Sequence, residues 1–206
     1  MHHSQDFKTT AIALCNAGKF IDGKGWVPAT SGNFSARLRD GTFAITTTGK
    51  HKGQLQIEDI MLIDAQSNPL DGKKPSAEMG LHMALYKRFP NTNAILHSHS
   101  INAILVSRLF QDKIVLKDYE LLKVLSGIHT HEAQVVIPIF SNDQDIPRLS
   151  HVVDAYLDTV TDCYAYITAG HGLNTWGESI PDALRHLEAL DHLFDCELRL
   201  HGVRKQ

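Results

Sequence analysis

Two rhythms of apolar and polar residues alternate along this chain. Over residues 6–19 apolar side chains recur every three or four positions, which predicts an amphipathic helix ending at Gly18 or Gly23. The rhythm then shortens. Residues 35–39 and 42–46 alternate with a period of two on either side of Asp40-Gly41, the pair that a tight hairpin turn favours. Residues 60–64 read as another strand. Ser76 is placed as the N-cap of a helix reaching Arg88, closed by Pro90. Residues 94–97 form a short apolar strand, and Ser100 caps a helix running to Phe110. A strand at 114–116, a helical stretch at 119–125 and a strand at 135–139 follow. Asp145 and Pro147 suit the N-cap and first turn of a helix to Asp158. Strands at 164–168 and 173–176 flank the turn Gly170-His171-Gly172, and Pro181 opens a last helix to Leu200.

Mixed strands and helices with a clear antiparallel hairpin favour a layered α/β/α domain over a purely parallel doubly wound sheet. No repeat, low-complexity tract or long linker divides residues 1–206, which suits one domain with a substantial core.

Composition narrows the function. At 43% hydrophobic and 21% charged residues the chain suits a globular protein in water. A net charge of −3 offers no basic field for nucleic acid. No apolar run approaches the ~20 residues that span a bilayer, and the N-terminus has no signal-peptide pattern. Cys15, Cys163 and Cys196 are odd in number and far apart, which argues against a disulfide framework and for a reduced, cytoplasmic protein. His2 and His3, two of thirteen histidines, read as terminal bystanders.

The chemistry concentrates at His97-Ser98-His99-Ser100, at the end of the apolar run Ala94-Ile95-Leu96. Side chains two apart on a strand point to one side, so two imidazoles can meet at one point. A catalytic zinc takes three protein ligands and keeps a position open. His171, displayed between two glycines, can complete such a set. His129-Thr130-His131-Glu132 is a second candidate pair, but it lies in a loop and better suits a surface role. Thr30-Ser31-Gly32-Asn33 and Thr46-Thr47-Thr48-Gly49-Lys50 offer hydroxyls, amides and positive-φ positions, the materials of an anion nest. Ser76, at a predicted helix start, adds amide donors and the positive end of a helix dipole. Each alone is an ordinary turn; together they suit a phosphate. Glu78 and Glu120 both stand where helices begin, and the pattern does not choose between them as a base.

Thr30-Ser31-Gly32-Asn33, Thr48-Gly49, Pro75-Ser76-Ala77-Glu78, His97-Ser98-His99 and Gly170-His171-Gly172 occur in the order seen in class II aldolase/adducin-type domains, and the chain resembles that family over nearly its whole length. The stretches Tyr119-Glu120-Leu121-Leu122-Lys123 and Pro138-Ile139-Phe140-Ser141-Asn142-Asp143-Gln144-Asp145-Ile146-Pro147 resemble its methionine-salvage dehydratase branch rather than the aldolases and epimerases. The resemblance implies a three-layer α/β/α domain with a mixed, largely antiparallel central sheet. It implies one zinc ion (Zn2+) per subunit on His97, His99 and His171, and a phosphate near Gly32, Asn33, Thr48, Gly49 and Ser76. It places the base at Glu120, on a small sugar-phosphate substrate, in a homotetramer with active sites between subunits; no nucleic-acid or membrane partner is implied. Glu78 matches the aldolase acid/base position, and Ala77 departs from the second hydroxyl residue that aldolases often carry there. The rival readings are a fuculose- or rhamnulose-type ketose-1-phosphate aldolase with the same metal and, more remotely, a non-catalytic adducin-like interaction domain, against which all three histidines are present.

Overall fold

In a computed structural model, which describes residues 4–204, the short-period segments become strands. They are β1 (Asn33–Arg37), β2 (Phe43–Thr46), β3 (Ile60–Ile63), β4 (Ala94–Ser98), β5 (Lys113–Lys117), β6 (Gln134–Phe140), β7 (Ala165–Thr168) and β8 (Gly172–Gly177). The helices are α1 (Gln5–Gly23), α2 (Met79–Arg88), α3 (Ile101–Leu109), α4 (Ile146–Leu157) and α5 (Ile180–Arg204). His2 and His3 lie outside the described residues.

The strands build one 8-stranded sheet in the order β3-β2-β1-β4-β8-β7-β6-β5. All its ladders are antiparallel except β6 with β7, so the sheet is mixed and largely antiparallel as expected. Side chains alternate across it, and each face has its own helices. Phe34, Leu96 and Leu173 pack with Leu14 of α1, Val106 of α3 and Leu190 of α5. Ile95, Tyr166 and Trp176 pack with Leu85 of α2 and Val153 of α4. Three layers result, with β4 near the middle of the sheet.

Most helix starts follow the cap residues. Ser4 accepts from the Phe7 amide at 3.1 Å and begins α1, which runs on to Gly23. Ser100 accepts from the Ala103 amide, and Asp145 from the Arg148 amide with Pro147 in the first turn behind it. Ser76 does not cap α2. The helix begins at Met79 with Glu78 at its N-cap position, and Ser76 Oγ accepts only a long 3.4 Å bond from the Glu78 amide. The cause lies upstream: Pro75 bridges Thr47, and the Lys74 carbonyl accepts from the Thr48 amide at 3.2 Å. This pairing holds the chain extended at 75, so residues 76–79 are spent on a turn before the helix can start. The stretch predicted as helical at 119–125 is a tighter 3-10 turn, Glu120–Val124.

Candidate active site

β4 carries the centre. Its register sets His97 opposite Asn33 of β1 and Asn174 of β8. His97 is fully buried, and its Nδ1 donates to the Leu173 carbonyl at 3.1 Å. A carbonyl only accepts, so Nδ1 carries the proton and Nε2 presents a bare lone pair. His99 lies just past the strand end, held by its amide donating to the Trp26 carbonyl at 2.7 Å. The two Nε2 atoms lie 2.9 Å apart.

His171 arrives from the β7–β8 turn. Gly170 takes φ +64°, and its amide donates to Ser107 Oγ at 2.8 Å. A side chain at Gly172 would run into the Ser98 carbonyl, so glycine lets β8 pass close beside β4. His171 Nε2 thereby reaches 3.3 Å from His97 Nε2. The three ligand nitrogens lie within 4.8 Å of one another, and no other such group occurs among the described residues. His129 and His131 are exposed and join no such group.

Burial lowers the pKa of His97, and burial with the neighbouring charges of His97 and His171 pushes His99 down to about 3. Three ring nitrogens converging on one point, with the His97 tautomer set by the backbone carbonyl behind it, fit a divalent cation.

Glu78 completes the cluster. Its Oε2 lies 3.4 Å from His97 Nε2 and its Oε1 3.2 Å from His171 Nε2. Burial alone would raise its pKa, but the charges of His97 and His171 and the hydrogen bond from His171 outweigh it and hold the carboxyl well below the usual range. An ionised carboxylate there can ligate a cation or exchange a proton. Glu120 stands elsewhere: its side chain is 74% exposed and pairs with Lys123 Nζ at 2.7 Å. It makes no hydrogen bond or ion pair to the histidines among the described residues of its own chain.

Of the predicted phosphate residues, Gly32 and Asn33 lie beside His97, and the turns bearing Thr48, Gly49 and Ser76 stand at the same end of the sheet. Gly32 takes φ +75°, and a Cβ there would stand 2.7 Å from the His97 carbonyl oxygen, so glycine brings the turn against β4. Asn33 and Ser31 have buried oxygens, Oδ1 and Oγ, with no hydrogen-bond partner. Thr46 Oγ1 accepts from the Phe34 amide at 3.1 Å, tying this turn to the Thr48-Gly49 turn, where Gly49 takes φ +73°. The Thr47–Pro75 bridge brings Ser76 to the same end of the sheet.

Two features had no local signal in the sequence. Lys52 is buried at 1% exposure between the turns. On the face of β1 that carries Asn33, Ser35 Oγ joins His82 Nδ1 at 2.7 Å and the Tyr86 hydroxyl at 2.9 Å. Only the pairing of α2 across β1 brings those three together.

A metal-ready trio of histidines beside a carboxylate, on a mixed α/β/α sheet, defines a class of proteins, and the comparisons agree. The profile of the class II aldolase and adducin N-terminal domain matches residues 12–198, and the chain belongs to that family. Its closely similar relatives are of the methylthioribulose-1-phosphate dehydratase branch. The chain is 57% identical over 203 residues to the "Methylthioribulose-1-phosphate dehydratase" of Methylococcus capsulatus, spanning 98% of this chain and 100% of that one. It is 51% identical over 195 residues to the protein of that name from Pseudomonas syringae, spanning 94% and 96%. Among solved structures, the fold superposes on YgbL of Klebsiella pneumoniae, "a putative aldolase/epimerase/decarboxylase", with a TM-score of 0.81 at 22% identity over 96% of this chain and 92% of that one. It also superposes on an L-fuculose 1-phosphate aldolase with a TM-score of 0.80 at 19% identity, over 98% and 89%. No described helix is long and apolar enough to cross a membrane.

Proposed function

We propose that the protein removes water from 5-methylthioribulose 1-phosphate, giving 2,3-diketo-5-methylthiopentyl 1-phosphate, a lyase step of methionine salvage. The observation that carries this reading is the 57% identity to a methylthioribulose-1-phosphate dehydratase along that relative's whole length. The geometry of the histidines and glycine turns supports it.

His97, His99 and His171 would hold one zinc per subunit, which would supply Lewis-acid stabilisation of the negative charge that develops on the ketone oxygen. The turns bearing Gly32, Asn33, Thr48, Gly49 and Ser76 hold the C1 phosphate, which fixes C3 and C4 in place for reaction. Glu120 takes the proton from C3 as general base and returns a proton to the departing C4 hydroxyl as general acid. The C3–H and C4–O bonds break, water leaves, and the enol becomes the diketone. The family resemblance implies a homotetramer with sites between subunits, and an exposed Glu120, apart from its own chain's histidines, suits delivery to a neighbouring copy. The three free cysteines suit the reducing cytoplasm.

One observation favours a second assignment of the base. Glu78 lies within 3.4 Å of His97 Nε2 and 3.2 Å of His171 Nε2 in the same chain, which places a carboxylate beside the reacting centre without help from a partner.

The test is incubation of the zinc-loaded protein with methylthioribulose 1-phosphate, with and without a chelator. An intact carbon chain carrying a diketone is expected, with formation stopped by the chelator. Two carbonyl fragments would instead show an aldolase, and an unchanged substrate would show a domain without this activity.

A further inference from the structure

Lys52 is a charged side chain in a place where charge is costly. It lies in a 3-10 turn, Lys52–Gln54, at 1% exposure. Its Nζ donates to two backbone carbonyls, Thr30 at 2.9 Å and Lys50 at 2.7 Å. No carboxylate pairs with it among the described residues, and burial alone accounts for the lowering of its pKa to about 8. The ammonium is therefore still the main form at neutral pH. A tie between two loops is made more cheaply by a neutral donor, since an unpaired buried cation loses its hydration without gaining a counter-charge.

The two carbonyls come from the two polar turns that carry Gly32 and Gly49. Beside them, Ser31 Oγ and Asn33 Oδ1 are buried without partners. The first of these turns places Gly32 against the His97 carbonyl, so Lys52 is tied to a turn that abuts the histidine strand. Lys52 has three donor protons, and two are used on the turns.

We infer that Lys52 is the cation of the phosphate site, locking the two glycine turns together and receiving its missing counter-charge from the C1 phosphate of the substrate. This rests on the phosphate-substrate reading above and adds a residue that no motif marks. It also supplies a means of selection, because a ketose without the phosphate leaves the buried ammonium unpaired.

Phosphate binding can be read without turnover, so this inference and the dehydration reading fail separately. The probe is inorganic phosphate added to the zinc-loaded protein, followed as a rise in melting temperature against chloride at equal ionic strength. The wild type is expected to gain stability with phosphate, and Lys52→Gln to lose most of that gain. With methylthioribulose 1-phosphate, Lys52→Gln is expected to raise KM about tenfold to a hundredfold with a smaller effect on kcat, the size of a charge-assisted hydrogen bond. Lys52→Arg, which keeps the charge, is expected to restore part of the phosphate response. A Lys52→Gln protein with the wild-type phosphate shift and KM overturns the inference. Should the variants not fold, a crystal structure of the wild-type protein in phosphate decides: Nζ within hydrogen-bond reach of a phosphate oxygen supports it, and phosphate bound elsewhere overturns it.

Discussion

The carboxylate of Glu78 lies 3.2 Å from Nε2 of His171, a contact between the start of α2 and the turn that joins β7 to β8. With the 3.4 Å approach to His97 it closes one side of the histidine cluster. The ring nitrogens that meet this carboxylate are the same ones that converge as a candidate metal site, so carboxylate and imidazoles form one cluster.

Truncating one imidazole should therefore remove the metal as well as the reaction. His97→Ala is expected to purify without zinc and to lose more activity than the about 10–100-fold seen when a partner behind a metal ligand is removed. Metal content by mass spectrometry checks it. One zinc per chain retained in that variant would show that the ligand set is wrong.

The choice between the two glutamates is open to a mixing experiment. Glu120→Gln is expected to keep zinc and lose about 10²–10⁴ in turnover, the usual scale for a general acid/base. Glu78→Gln, beside the ligands, is expected to weaken zinc binding as well. When Glu120→Gln and His97→Ala subunits are unfolded and reassembled together, sites that draw histidines from one chain and Glu120 from another should regain activity. A mixture as inactive as its parts argues that Glu120 does not cross between subunits.

The metal-free protein should lose stability in acid by a route that passes through His82. Burial pushes its pKa from 6.5 down to about 3, so the folded state keeps it neutral while the unfolded chain takes up a proton. Between those values the unfolded state binds more protons, and stability falls as pH falls, by up to about 1.4 kcal/mol per pH unit. Glu78, held low in the folded state, adds a loss of the same sign at lower pH. Urea unfolding between pH 7 and 5 should show a flatter pH dependence in His82→Gln. An unchanged slope would mean that His82 is not the proton acceptor.

Gly18 tests whether helix propensity or packing governs α1. Replacing a helix-interior glycine with alanine ordinarily gains about 1 kcal/mol. Here the added methyl would meet the Lys52 carbonyl well inside contact distance. Overpacking of that kind costs about 1–3 kcal/mol. Gly18→Ala is expected to be net destabilised in chemical denaturation and to bind phosphate less well, because the Lys52 turn must move. A stabilised variant with unchanged phosphate binding would show that the turn yields freely.

Several parts of this molecule are readable from neighbouring residues alone. The alternation around Asp40-Gly41 sets the β1–β2 hairpin, and Ser100 and Asp145 mark their helix starts, because caps and turns act within a few residues. His97 and His99 share a side because a strand has a period of two, and the glycines around His171 signal a close approach. Family resemblance carried the rest of the ligand set.

What the chain meets at long range was decided only by the tertiary structure. Ser76 loses its predicted cap role because Pro75 pairs with Thr47, a partner that no local pattern shows. Glu78 and Glu120 look alike along the chain; folding buries the first against two imidazoles and leaves the second in solvent. Lys52 carries no local mark along the chain, and its burial comes only from the turns at 30–33 and 46–50 that close over it. The physical reason is common to all three. Periodicity and capping are local energies, whereas burial and the electrostatics that follow from it belong to residues brought together from distant parts of the chain.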